Sequence, residues 1–243
     1  MSGPDDDGRL DIALAIRRTL QAFARDFAGV VLAGLALVTL PGVVSRSISI
    51  GDDGATILLT LRSVCAMLYV ALVSWGVVAR LRGRALPANL FVREGLARAR
   101  PGLQVALLAG ASVFIGLILQ LFARPGTFEG WLLDISLLAL GLWAAAALMP
   151  LVPVAVVERL GPVAAMRRAL ALTEGNRNRT LALALLVALT LAPSAVLVAG
   201  FGGLAGGGIV LQSLFELLAW SLIATVPAVV YAGLKGAAGK ESE

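Results

Sequence analysis

At 243 residues, with 59% hydrophobic and only 14% charged residues, the chain carries more apolar surface than a water-soluble domain can hide. Its net charge of +5 comes from basic residues gathered between apolar runs, which is a topological pattern rather than a nucleic-acid footprint. There is no histidine and Cys65 is the only cysteine, which excludes an internal disulfide, a zinc site, histidine acid–base chemistry and a Ser-His-Asp triad.

Residues 1–8, MSGPDDDG, read as a disordered acidic tail, unlike the basic start of a cleavable signal peptide, so the first membrane helix is expected to be retained. Residues 9–26 put Leu10, Leu14, Ile16, Leu20 and Phe23 largely on one side, interrupted by Arg17, Arg18 and Arg25. This predicts an amphipathic helix lying in the membrane interface, in preference to a solvated one. A first span is expected over about 27–44, with Pro41-Gly42 near its end, and a second over about 56–79, followed by the basic cluster Arg80, Arg82 and Arg84. Residues 87–100 read as a second short amphipathic helix, with Pro87 and Asn89 as start signals, and the third span as about 102–123. After a Pro125-Gly126 turn, the fourth span runs from Trp131 to about Val157, with Pro150 and Pro153 expected to kink or break it. Gly161-Pro162 should break the chain and start a third amphipathic helix, in which Val163, Met166, Leu170 and Thr173 share a helical spacing and Gly175-Asn176 marks the end. The fifth span is about 181–200, the glycine-rich run GFGGLAGGG a flexible turn, and the sixth span about 209–233, with residues 235–243 a frayed polar tail.

Each run is long enough to cross a hydrocarbon core of about 30 Å at about 1.5 Å per residue. The expected fold is therefore an all-α membrane protein, a single domain over 9–234, with six transmembrane helices and three cytoplasmic amphipathic interfacial helices. Setting aside Arg62, which lies inside a span, 17 Lys and Arg residues fall on the side of the termini and only Arg46 and Arg124 on the other. The positive-inside rule then places both termini in the cytoplasm. Usage rich in Ala, Arg and Gly and poor in Lys suggests a bacterial source of high GC content, and so a bacterial inner membrane.

The order amphipathic helix, span, span occurs three times, over about 10–81, 88–160 and 162–234, which predicts a threefold helix-hairpin repeat. Ile16-Arg17-Arg18-Thr19-Leu20 echoes Met166-Arg167-Arg168-Ala169-Leu170, and Val92-Arg93-Glu94-Gly95-Leu96 follows them weakly. The exits echo too: Val77-Val78-Ala79-Arg80-Leu81 with Val156-Val157-Glu158-Arg159-Leu160, and Val226-Pro227-Ala228-Val229-Val230 with Val152-Pro153-Val154-Ala155-Val156.

Residues Glu158 to Arg177, E-R-L-G-P-V-A-A-M-R-R-A-L-A-L-T-E-G-N-R, resemble a segment of the membrane domain attached to some glycerophosphoryl diester phosphodiesterases, and of related six-span bacterial proteins. There a proline-bearing span leads into E-x-x-G-P-x-x-A-x-x-R, and the sixth span leads into a V-Y-x-x-L exit, here Val230-Tyr231-Ala232-Gly233-Leu234. The resemblance is specific over about 25 residues. It implies a helical membrane module and no phosphodiesterase activity, because in the fused enzymes catalysis belongs to a separate soluble barrel with metal-binding acidic residues and histidines. It offers no catalytic residue to carry over.

Charged residues inside spans are costly and often mark function. Arg62, Asp134 and Glu216 enter their spans from the same, outer side; Arg62 and Glu216 are expected at similar depth, as an ion pair that could extend to Asp134. Such a pair is a packing lock between helices or, less simply, part of a substrate or proton path. Arg159, Arg167, Arg168, Arg177 and Arg179 crowd the cytoplasmic interface. They satisfy topology and attract anionic lipid; between Pro162 and Arg179 they could also hold a phosphate headgroup, unless Glu158 and Glu174 pair with them locally. The expected function is a non-enzymatic membrane module that organises lipid or protein partners, with no cofactor, metal or nucleic acid; a small transporter for a lipid-like or polar solute is the alternative.

Overall fold

The structure is a computed structural model that describes residues 10–25, 27–47, 52–84, 87–122, 127–201 and 207–240. The acidic tail, the middle of the polar loop at 48–51, the Pro125-Gly126 turn and most of the glycine-rich run lie outside these residues. The described residues contain no strand. Their helices are α1 (Ile12–Arg25), α2 (Phe27–Gly34), a π-helical segment (Leu35–Thr39), α3 (Leu40–Ser47), α4 (Asp52–Leu81), α5 (Ala88–Phe122), α6 (Phe128–Leu148), α7 (Leu151–Glu158), α8 (Pro162–Thr173), α9 (Arg177–Phe201) and α10 (Gly207–Lys240). Four stretches of the described residues are long and apolar enough to cross a membrane: Phe27–Ser45, Thr60–Leu81, Phe128–Glu158 and Val210–Gly236. The chain is thus an all-helical protein of membrane type.

Prolines set most of the local departures from regular helix. Pro41 has no N–H, and its ring would press on the carbonyl four residues back. Just before it the ladder widens, and the Leu40 N–H reaches back to the Leu35 carbonyl. Pro150 ends α6 after Leu148, and α7 restarts immediately, with the Val154 N–H closing its first turn on the Pro150 carbonyl at 2.9 Å. Pro153 stands in that first turn, where a missing N–H leaves no bond unmade.

Pro101 acts differently, and here the expectation of a separate helix at 87–100 is corrected. That segment and the residues after it form one 35-residue helix with Pro101 inside it. Tertiary packing carries α5 across the proline. A Cβ at Gly102 would lie 2.5 Å from Val156 and 2.9 Å from Ala71, so the helix sits flush against α7 and α4 at that point. The expected frayed tail is corrected as well, since α10 continues past residue 233 to Lys240.

The amphipathic helices α1 and α8 are present. In α1 the buried residues are Ala15, Thr19 and Ala22, while Leu20 is 64% exposed. In α8 they are Ala165, Ala169, Leu172 and Thr173, while Val163 and Met166 are exposed. Small residues let the helices approach closely, with Ile12, Phe23 and Leu172 also packed inward, while Leu20, Val163 and Met166 face outward, as apolar side chains can against lipid.

The core is built where α4, α7 and α10 meet. Val73, Val77 and Val78 of α4, Val154 to Val156 of α7, and Ala228 to Tyr231 of α10 are buried there. α5 and α2 close the sides with Phe91, Val105 and Val30. α6 packs chiefly on α9 and α8 and presents Trp131, Leu132, Ile135, Leu138 and Trp143 to the outside.

Candidate functional site

The site grows from the end of α7. Arg159 adopts a left-handed backbone (φ 56°), and the Leu160 N–H returns to the Ala155 carbonyl at 3.2 Å. Gly161 then caps α8, whose first residue is Pro162, already fixed at a helical φ. This sharp turn leaves Glu158, the last residue of α7, facing both α8 and α10. The Tyr231 hydroxyl donates to Glu158 Oε1 at 2.9 Å, and Lys235 Nζ donates to the same oxygen at 3.0 Å. Lys235 also donates to the Tyr231 hydroxyl at 3.2 Å, and Arg168 Nε lies 3.3 Å from Glu158 Oε2. One carboxylate therefore gathers three donors from two other helices.

A second set of bonds fixes the neighbouring turn. Pro150 cannot donate to the Ala146 carbonyl, and the break after α6 frees the Ala147 carbonyl as well. The Thr180 hydroxyl bonds the first and the Thr173 hydroxyl the second, so α8 and α9 are stitched to the break itself. Gly175, at φ 77°, turns the chain from α8 into α9. There Asn176 Oδ1 accepts the Leu10 N–H at 2.8 Å, and Arg179 Nη1 donates to the Leu10 carbonyl at 2.7 Å. Both backbone groups of Leu10 are held, which ties the start of α1 to the first turn of α9.

At the other end of the bundle the structure brings Arg62 and Glu216 together: Arg62 Nη2 donates to Glu216 Oε1 at 2.8 Å, with both side chains largely buried. It does not bring Asp134 to them. Asp134 lies exposed on α6, which packs mainly on α9 and α8. Two turns further in, the Tyr69 hydroxyl and Ser221 Oγ are 2.7 Å apart, again linking α4 to α10. Arg62→Ala and Glu216→Ala are each expected to lower the melting temperature in detergent, at a cost of about 1–2 kcal/mol, by removing an opposite charge from an apolar setting. The exchange Arg62→Glu/Glu216→Arg should recover part of the loss. Unchanged melting and abundance in both single variants would remove the pair's role as a lock.

Of the five interfacial arginines, Arg168 is engaged by Glu158 and Arg179 by Leu10, while Arg159, Arg167 and Arg177 are exposed. Sequence reasoning placed Tyr231 in an exit motif without a partner and missed Lys235 altogether. It also missed the Arg98 guanidinium over the ring of buried Trp75, 5.1 Å from the centroid. Comparison of the chain with protein-family models, with curated proteins and with solved structures finds no match.

Proposed function

We propose that the chain is a six-span module of a bacterial inner membrane, with both termini cytoplasmic, that organises lipid or protein partners and carries out no catalysis of its own. The observation that carries this reading is the contrast between its centre and its basic end. The junction of α4, α7 and α10 is filled by valine, alanine and tyrosine side chains, whereas the charged groups at one end form an ordered network around Glu158. A filled centre suits a scaffold better than a conduit. The transporter alternative draws only on the Arg62–Glu216 pair.

In this reading α5 and α9 supply the third and fifth spans. The threefold repeat gains support from burial at equivalent positions. Ala15, Phe91 and Ala165 stand in the same place in the three units, and Thr19, Gly95 and Ala169 four residues on; all six are buried. The exits of the three units are the segments of α4, α7 and α10 that meet in the core. The likeness to the membrane domain of glycerophosphoryl diester phosphodiesterases is also part of the proposal. Its two motif pieces, which hold Glu158 and Arg168 on one side and Tyr231 on the other, meet at a single carboxylate.

The exposed Arg159, Arg167 and Arg177 are left to attract anionic lipid, at about 1 kcal/mol per basic residue near the surface. Purification in mild detergent, with mass spectrometry of bound lipids and proteins, tests the reading, and Arg159→Ala/Arg167→Ala, which leaves the Glu158–Arg168 pair intact, is the control. Enrichment of an anionic lipid that the double variant loses, or a stoichiometric protein partner, is the expected result. Recovery of neither argues for a transport screen instead.

A further inference from the structure

We propose a second anion site, for a phosphate ester, in a cavity at the basic end of the bundle that involves none of the five interfacial arginines. The cavity holds about 500 Å³ and is lined by Arg18 of α1, Leu81 and Arg82 at the end of α4, and Ala232, Lys235 and Gly236 of α10. Three cations from three helices thus face one space, and no carboxylate is among the described residues that line it. The remaining wall is apolar or bears almost no side chain.

The fold places each of the three residues, Lys235 through its ammonium and the two arginines through their backbones. Lys235 is oriented by Glu158 and by the Tyr231 hydroxyl. Arg82 sits in a closed turn: its N–H returns to the Val78 carbonyl, Gly83 at φ 83° donates to Arg80, and Arg84 donates to Ala79. Arg18 lies on α1, which is seated on α10 and tied to α9 through Leu10. Lys235 already has Glu158 as a counter-charge, so an anion entering the space gains most from Arg18 and Arg82. Two guanidinium forks and an ammonium offer what a phosphate oxygen set takes, while the Leu81, Ala232 and Gly236 wall suits the uncharged, less polar part of an ester. The space itself is in the range of small-molecule sites. A phosphate ester of this kind could come from the head of an anionic lipid or from a free glycerol phosphate.

Gly236 gives a test that leaves the charges alone. A Cβ there meets nothing within 4 Å, so a side chain can be added without a clash at a residue that lines the cavity. Native mass spectrometry of the full chain in detergent, titrated in one arm with phosphatidylglycerol and in the other with sn-glycerol 3-phosphate, reads binding directly. Wild type is compared with Arg18→Gln/Arg82→Gln and with Gly236→Leu, each checked for an unchanged melting temperature. Both variants should bind the same probe about tenfold more weakly than wild type. A loss in the lipid arm identifies a headgroup, and a loss in the soluble arm a free ester. Failure of the wild type to bind either probe overturns the proposal, and so does any pattern in which the two variants do not lose the same probe. The variants differ from those that test the module reading, so either idea can fail alone.

Discussion

Glu158→Ala is expected to lower the melting temperature of the detergent-solubilised protein at a cost of about 2 kcal/mol. The carboxylate is 17% exposed and accepts from Tyr231 and Lys235 while pairing with Arg168. Removing it leaves two cations and a hydroxyl at a three-helix junction with their shared acceptor gone, and cations without their partner lose more than a neutral contact would. The figure stays well below that of a fully buried pair because Arg168 and Lys235 are each 43% exposed and can turn to water. Glu158→Gln should recover part of the loss by still accepting from the Tyr231 hydroxyl. Tyr231→Phe alone should cost less, and the Glu158→Ala/Tyr231→Phe pair less than the sum of the two, since both act on one bond. Thermal unfolding of the four proteins in one detergent checks this. A strictly additive pair would mean that the tyrosine and the glutamate do not act together.

That network is the part of the molecule least legible in the sequence. Glu158 and Lys235 are 77 residues apart, and nothing local to either announces the other. The Arg62–Glu216 contact is nearer to reach, because depth along a helix follows from residue counting at about 1.5 Å per residue. Chain breaks are legible for a local reason. Pro150, Gly161, Pro162 and Gly175 impose their geometry wherever they stand, and the boundaries of α7 and α8 follow from them. Pro101 warns that even this has a limit, since flush packing at Gly102 keeps α5 running through it. The buried faces of α1 and α8 escape a hydropathy reading for a different reason. In water a large apolar stripe marks the buried face, but beside lipid the same stripe is free to face out. Helix contact is then carried by small residues such as Ala15, Ala165 and Ala169, which hydropathy patterns barely register.

Phe91→Ala is expected to produce the largest single loss, about 3 kcal/mol. Phe91, in the first turns of α5 and 2% exposed, is the plug between α2 and α4. Its ring lies over two glycines: a Cβ at Gly29 would meet it at 3.3 Å, and one at Gly76 at 1.8 Å. The ring therefore occupies the volume that side chains at these positions would take. Within a membrane the association of helices depends on such contacts more than on escape from water, so a hollow left by the ring is lost attraction that lipid cannot restore. The converse change is damaging for the opposite reason. Gly76→Val drives new carbons into a buried aromatic ring that has nowhere to go, at a cost of about 1–3 kcal/mol or more. Together the two should compensate. Phe91→Ala/Gly76→Val removes the ring and supplies carbon from the other helix, so its melting temperature should lie above that expected from adding the two single losses. If the double variant is instead as unstable as the sum, Phe91 contributes through something other than the space it fills against Gly76, and the close approach of α4 and α5 must rest on Gly95 and Gly102, where a Cβ would meet Leu72 at 2.7 Å and Ala71 at 2.9 Å.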